Sequence, residues 1–108
     1  MRIGLLGFGT VGKGVYKLIA PRADMQVVRV LCRRDLELDD AAVTHSFDDI
    51  LNDPTIDTVV EAMGGLHPAY EYVKAALEAG KNVVTPNKAL VCTFYEELLA
   101  LAKEKGVS

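Results

Sequence analysis

Short β-rich runs alternate with helical runs along the whole chain. Apolar segments at 2–7 (RIGLLG), 25–32 (MQVVRVLC), 57–63 (DTVVEAM) and 82–85 (NVVT) are short and rich in β-branched residues, which predicts strands. Between the first two, residues 10–20 read as a helix stopped by Pro21. The run 46–53 opens with Ser46 and Asp49 in the spacing of a capping pair and ends before Pro54. Pro68 suits the first turn of a helix that reaches Ala79, with Gly80 as a left-handed cap. Thr93 and Glu96 form another capping-box pair, so the last helix is expected to start there. Phe94, Leu98 and Leu101 mark its apolar face and Gly106 closes it. The strands are continuous apolar runs, so both faces should be buried. Four such strands alternating with helices imply a parallel, right-handed βαβ sheet. The chain stops at Gly106-Val107-Ser108, where the alternation calls for another strand. The expectation is a fragment, a single domain over 1–108 cut before the last strand or strands of its sheet.

Composition narrows this picture without redrawing it. Of 108 residues, 50% are hydrophobic and 25% charged, the balance of one ordinary globular domain. A net charge of -3 argues against a nucleic-acid footprint. No apolar run approaches the ~20 residues that span a bilayer. The N-terminal segment, interrupted by Gly7 and Gly9, reads better as a strand than as a signal peptide. Cys32 and Cys92 have neither metal-ligand nor disulfide spacing. They are expected to be free core thiols in a reducing cytoplasm, and no metal site is expected.

The strongest chemical signal is GFGTVG, with Gly7, Gly9 and Gly12 in the G-x-G-x-x-G pattern. It leaves the first strand and opens a helix, the context that dinucleotide binding requires. Gly7 allows a tight turn beside Phe8, Gly9 lets the backbone approach a pyrophosphate, and Gly12 lets the helix pack closely on the strand. The amides of Thr10 and Val11 then face the phosphates at the positive end of the helix. Twenty residues past Gly12 stand Cys32, Arg33, Arg34 and Asp35. Arg33 and Arg34 could pair with the extra phosphate of NADP, Asp35 leaves NAD open, and all three could instead be a solvated turn. Gly64 and Gly65, after the third strand, lie at the edge where open α/β sheets bind ligands, and read either as close-approach positions or as a flexible turn. The role of Glu61 is open, and His67 reads as a loop residue. Thr85, Asn87 and Lys88 leave the fourth strand at that same edge. Lys88 is either a surface lysine at a helix start or a proton-handling group whose pKa falls beside a nicotinamide.

Three segments, GFGTVGKGV, DPTIDTVVEAMGG and ALEAGKNVVTPNKAL, resemble in order and spacing the nucleotide-binding domain of homoserine dehydrogenase. The likeness covers essentially the whole chain; Pro86 stands where that family often has alanine. It implies a Rossmann-like doubly wound parallel sheet and NADP or NAD as cofactor. It also implies an interconversion of L-homoserine and L-aspartate 4-semialdehyde on the route to threonine, isoleucine and methionine. Carried over by position, Gly7, Gly9, Thr10, Val11 and Gly12 bind the pyrophosphate, with Phe8 in the same turn. Gly64 and Gly65 lie along the cofactor, Thr85 and Asn87 lie near the nicotinamide, and Lys88 is the active-site lysine. The resemblance puts a second lysine, substrate-binding acids and a sodium site beyond residue 108. The chain alone is therefore expected to bind cofactor weakly and not to catalyse. The full-length enzyme is expected to be a cytoplasmic homodimer with no nucleic-acid or membrane partner. Rival readings are another amino-acid dehydrogenase, such as aspartate dehydrogenase, and a non-catalytic NAD(P)-sensing module.

Overall fold

The computed structural model describes residues 1–33, 38 and 41–107. Among these, the elements run β1 (Arg2–Leu6), α1 (Thr10–Ile19), β2 (Gln26–Leu31), β3 (Ala42–Thr44), α2 (Asp48–Leu51), β4 (Thr58–Glu61), α3 (Ala69–Glu78), β5 (Asn82–Val84) and α4 (Lys88–Lys105). All strand pairs are parallel, in the order β3-β2-β1-β4-β5. The expected Rossmann-like doubly wound sheet is therefore present, with β1 at its centre. From β1 the chain winds outward to β2 and β3 on one side, then to β4 and β5 on the other. That reversal opens a crevice beyond the carboxyl ends of β1 and β4.

Register brings the strand ends into one row. Leu6 pairs with Leu31 and with Glu61, the Gly7 amide donates to the Leu31 carbonyl, and the Ala62 amide donates to the Leu6 carbonyl. Side chains alternate across the sheet. Ile3, Leu5, Val27 and Val30 pack with Ile19 of α1, while Leu6, Leu31 and Val59 pack with Ile50 of α2 and Ala76 of α3. A further core joins Val73 and Leu77 of α3 to Leu90 and Ala102 of α4. Tyr70 braces the two helices: its ring stacks on Phe94 at 3.9 Å between centroids, and its hydroxyl donates to Glu97.

Several local expectations need correction. A fifth strand, β3, lies in Ala42–Thr44, where three residues are too few to show a period. Ser46 does not cap α2; the Asp49 carboxylate instead accepts from the Thr44 hydroxyl, tying α2 back to β3. α4 opens at Lys88, five residues before Thr93, but non-helical dihedrals at Phe94 divide it into two helical segments, the second beginning next to the expected Thr93 start. Gly106 does close it in the left-handed conformation. β5 is not buried on both faces, since it is an edge strand with Val84 54% exposed. Cys92 lies on the surface and Cys32 is only partly buried, so neither is a core thiol. Among the described residues no helix is long and apolar enough to cross a membrane.

The end of the sheet away from the crevice is tied by buried and charged groups. Lys81 is buried, and its Nζ donates to the carbonyls of Asp53 (2.9 Å) and Ile56 (2.6 Å). Asp53 accepts from the Thr55 hydroxyl (2.6 Å), the Thr55 amide (2.9 Å) and Arg29 Nε (3.2 Å). The Thr55 hydroxyl leads these in lowering the Asp53 carboxyl from 3.8 to about 2. Because the folded value lies below the unfolded one, this stabilisation is intact above about pH 4 and is lost as pH falls towards 2. Asp24 and Asp57 are also lowered, so a difference measurement is needed to isolate Asp53. Between about pH 4.5 and 2.5, wild-type stability in urea is expected to fall more steeply than that of Asp53→Asn. Equal slopes would remove Asp53 from the acid transition.

Candidate functional site

The turn from β1 to α1 has the form its three glycines predict. Gly7 has φ +98°, and a Cβ there would lie 3.0 Å from the Ala62 carbonyl oxygen at the end of β4. At Gly12 a Cβ would stand 2.2 Å from the Gly7 carbonyl oxygen, so only hydrogen allows α1 to pack this close to the turn. Gly9 differs from both. It is the N-cap of α1, it is exposed, and a Cβ there would meet nothing within 4 Å. Among the described residues no side chain caps α1, and no acid occupies its first turn, which leaves its N-terminal amides to an anion. Val11 is 52% exposed there.

A cleft of about 1060 Å³ opens from this turn. Gly7, Phe8, Gly9 and Thr10 line one side, Cys32, Arg33 and His45 the ends of β2 and β3, and Ala62 and Met63 the end of β4. Phe8 is held edge-on to Tyr16, with centroids 5.7 Å apart. His45 Nδ1 lies 2.7 Å from the Cys32 carbonyl oxygen, which can only accept, so Nδ1 carries the hydrogen. Arg33 and Lys13 are both exposed and give this lining two cations. Arg34 and Asp35 lie outside the described residues. An uncapped helix N-terminus, open space at Gly9 and two cations along the cleft fit a dinucleotide with its pyrophosphate at the turn.

Lys13 and His45 were not anticipated as lining residues. Lys13 follows Gly12 and its amide closes the first helical bond to the Gly9 carbonyl, so helical spacing already put it at the turn's end of α1. His45 could be found only by recognising β3, since it stands immediately after that strand, at the ligand edge.

The other expected residues gather in a second cluster, beyond the lining of this cleft. Thr85 donates its hydroxyl to Glu61 Oε1 at 2.7 Å and accepts from the Asn87 amide at 3.1 Å. Asn87 is the N-cap of α4: its Oδ1 accepts from the Leu90 amide at 3.2 Å while its Nδ2 donates to the Gly65 carbonyl. Both side chains are thus committed to protein partners. Lys88 is exposed and is the first residue of α4. Gly64 and Gly65 are exposed in the β4–α3 turn and both have positive φ. Glu61, whose role the sequence leaves open, joins the clusters. It is wholly buried and its Oε2 accepts from the amides of Met63 (2.6 Å) and Gly64 (3.0 Å). His67 precedes Pro68, which lines the cleft, through a cis peptide bond, and its own side chain pairs with Glu71. Among the described residues no three His, Cys, Asp or Glu side chains are grouped to hold a metal ion.

Comparison with known proteins bears out the resemblance read from the three segments. Residues 7–108 match the family model described as homoserine dehydrogenase, NAD binding domain. The homoserine dehydrogenase of Bacillus subtilis (strain 168) is 38% identical over 120 residues, a match covering 98% of this chain and 28% of that protein. The crystal structure of Staphylococcus aureus homoserine dehydrogenase at pH 6.0 superposes with a TM-score of 0.87 at 33% identity, covering 99% of this chain and 31% of that one. The homoserine dehydrogenase structure from Thiobacillus denitrificans gives a TM-score of 0.87 at 39% identity over 99% of this chain and 28% of that one. The chain spans less than a third of the length of these relatives.

Proposed function

The chain belongs to the homoserine dehydrogenase family, as its NAD-binding domain, and from that premise we propose that it is the cofactor half of an enzyme interconverting L-homoserine and L-aspartate 4-semialdehyde. The observation that carries the reading is the turn at Gly7, Gly9 and Gly12, built for a dinucleotide at the crevice of the doubly wound sheet. In this reading the amides of Thr10 and Val11 hold the pyrophosphate, with Gly7, Phe8 and Gly12 shaping the turn. Arg33, with Arg34, holds the ribose phosphate of NADP, and NAD binds without that contact. Gly64 and Gly65 border the nicotinamide half, with Thr85 and Asn87 supporting it from the β5 side. Bound NAD(P)(H) supplies or accepts the hydride. Lys88 donates a proton to the substrate oxygen, or receives one from it, according to direction. The substrate-binding groups belong to the remainder of the enzyme. That enzyme is proposed to work in the cytoplasm as a homodimer in the synthesis of threonine, isoleucine and methionine.

Titration of the purified chain with NADP and NAD tests the cofactor reading. Both are expected to bind, and no detectable binding at millimolar cofactor would leave the glycines a purely structural turn. The double variant Arg33→Ala, Arg34→Ala is expected to weaken NADP about tenfold more than NAD, since a charge-assisted contact to a phosphate is worth roughly 1.5–3 kcal/mol. Equal losses for the two cofactors would reject the arginine assignment. NADP binding by the full-length wild-type protein with no detectable turnover of L-homoserine would favour the sensing module over the dehydrogenase.

A further inference from the structure

Glu61 occupies a position that burial alone would fill with a valine. It ends β4 after Thr58, Val59 and Val60, all buried, and is itself 0% exposed. A carboxylate removed from water is costly unless donors surround it. Here three do, and they come from two separate segments. The amides of Met63 and Gly64 belong to the β4–α3 turn, whose Met63 lines the cleft. The Thr85 hydroxyl belongs to the β5–α4 turn, three residues before Lys88. The circuit closes on the far side, because Thr85 holds the Asn87 amide and Asn87 holds both the Gly65 carbonyl and the first turn of α4. Glu61 is the buried anchor of this ring, and Lys88 is the residue it delivers to the surface.

We propose that Glu61 is a positioning residue for the reaction: it sets the separation between the 63–65 turn and the α4 N-terminus, and so acts on turnover through Lys88. The inference rests on the role of Lys88 proposed above. Three variants of the full-length enzyme test it, Glu61→Ala, Glu61→Gln and Thr85→Val, each alone and combined with Lys88→Ala. The readouts are kcat, cofactor affinity by titration, and hydrogen exchange of the 63–64 amides. Glu61→Ala strips both amides of their acceptor, so their exchange is expected to accelerate about tenfold or more. Turnover is expected to fall about tenfold or more, with a smaller loss of cofactor affinity. Glu61→Gln retains protection and most turnover, because one amide oxygen still accepts both N–H groups. Added to Lys88→Ala, Glu61→Ala is expected to lower the residual rate by less than about twofold, since residues acting through one group are not additive.

Thr85→Val keeps shape while cutting the link between carboxylate and α4. It is expected to reproduce the loss of turnover, and it decides the matter if Glu61→Ala fails to fold. Wild-type turnover in Glu61→Ala and Thr85→Val, or losses that multiply with that of Lys88→Ala, would overturn the proposal. If Lys88→Ala itself leaves turnover intact, the reading of Lys88 fails and Glu61 with it. If Lys88→Ala is inactive while the Glu61 and Thr85 variants are not, the Glu61 inference alone falls.

Discussion

In the full-length enzyme, Lys88→Ala is expected to lower turnover roughly 10²- to 10⁴-fold, the range ascribed to a positioned proton-transfer group, and to leave cofactor affinity within about threefold. Physical placement makes this expectation sharp. Lys88 is the first residue of α4, where the helix dipole is positive, and no acid in the first turn offsets its charge. A cation there is disfavoured by roughly 0.3–1 kcal/mol. Alanine is also the better helix former. The variant should therefore melt no lower than wild type, and its lost activity could not be charged to unfolding. Asn87 and Thr85 hold the start of the helix through contacts that do not involve the Lys88 side chain, so the site around it should persist. Turnover within about tenfold of wild type, or a loss confined to the KM for cofactor, would remove Lys88 from the chemistry.

The second large effect separates two glycines that the motif treats alike. Gly12→Ala is expected to destabilise the domain, because its Cβ would stand 2.2 Å from the Gly7 carbonyl oxygen and 2.8 Å from the Gly7 carbonyl carbon. Those are backbone atoms and cannot rotate away, so α1 or the turn must move. Overpacking of this kind costs about 1–3 kcal/mol or more, a fall of roughly 5–20 °C in Tm for a domain of this size. Gly9→Ala has no such obstacle. Its φ of −79° and ψ of −155° suit any residue, and its Cβ would enter open space. Its cost is the weaker N-cap alone, below about 1 kcal/mol. Yet that open space is where the pyrophosphate reading puts the ligand, so affinity for both NAD and NADP is expected to fall about tenfold or more, ~1.4 kcal/mol. Circular-dichroism melts and cofactor titration on the two variants should thus separate stability from binding. Undiminished binding by Gly9→Ala would refute the close approach, and an unchanged melt for Gly12→Ala would refute the packing.

Long periodic runs and glycine spacing made most of the architecture legible. The strands around 2–7, 25–32, 57–63 and 82–85 emerge with ends shifted by a residue or two, because apolar runs continue past the last ladder hydrogen bond. β3 escaped because Ala42–Thr44 forms a strand only by pairing with Arg29–Leu31 of β2, and pairing is a property of the sheet. The two capping pairs fared differently. Ser46 lost its partner when Asp49 turned to Thr44, whereas the Thr93 pair coincides with the break at Phe94 that divides α4, although Asn87 caps an earlier first segment. A local cap is worth about 1 kcal/mol, which tertiary contacts readily exceed.

Residue order alone was enough for the alternation of strand and helix, the dinucleotide turn and the family, because each depends on spacing within one short segment. Which residues stand together across segments was decided only in three dimensions. His45 reaches the cleft because β3 pairs with β2. Glu61 becomes an anchor because Thr58–Val60 of β4 pairs with Asn82–Val84 of β5, which brings Thr85 to its carboxylate across a sequence separation of 24. A carboxylate's partners are set by what folding buries beside it, and no spacing in the sequence records that.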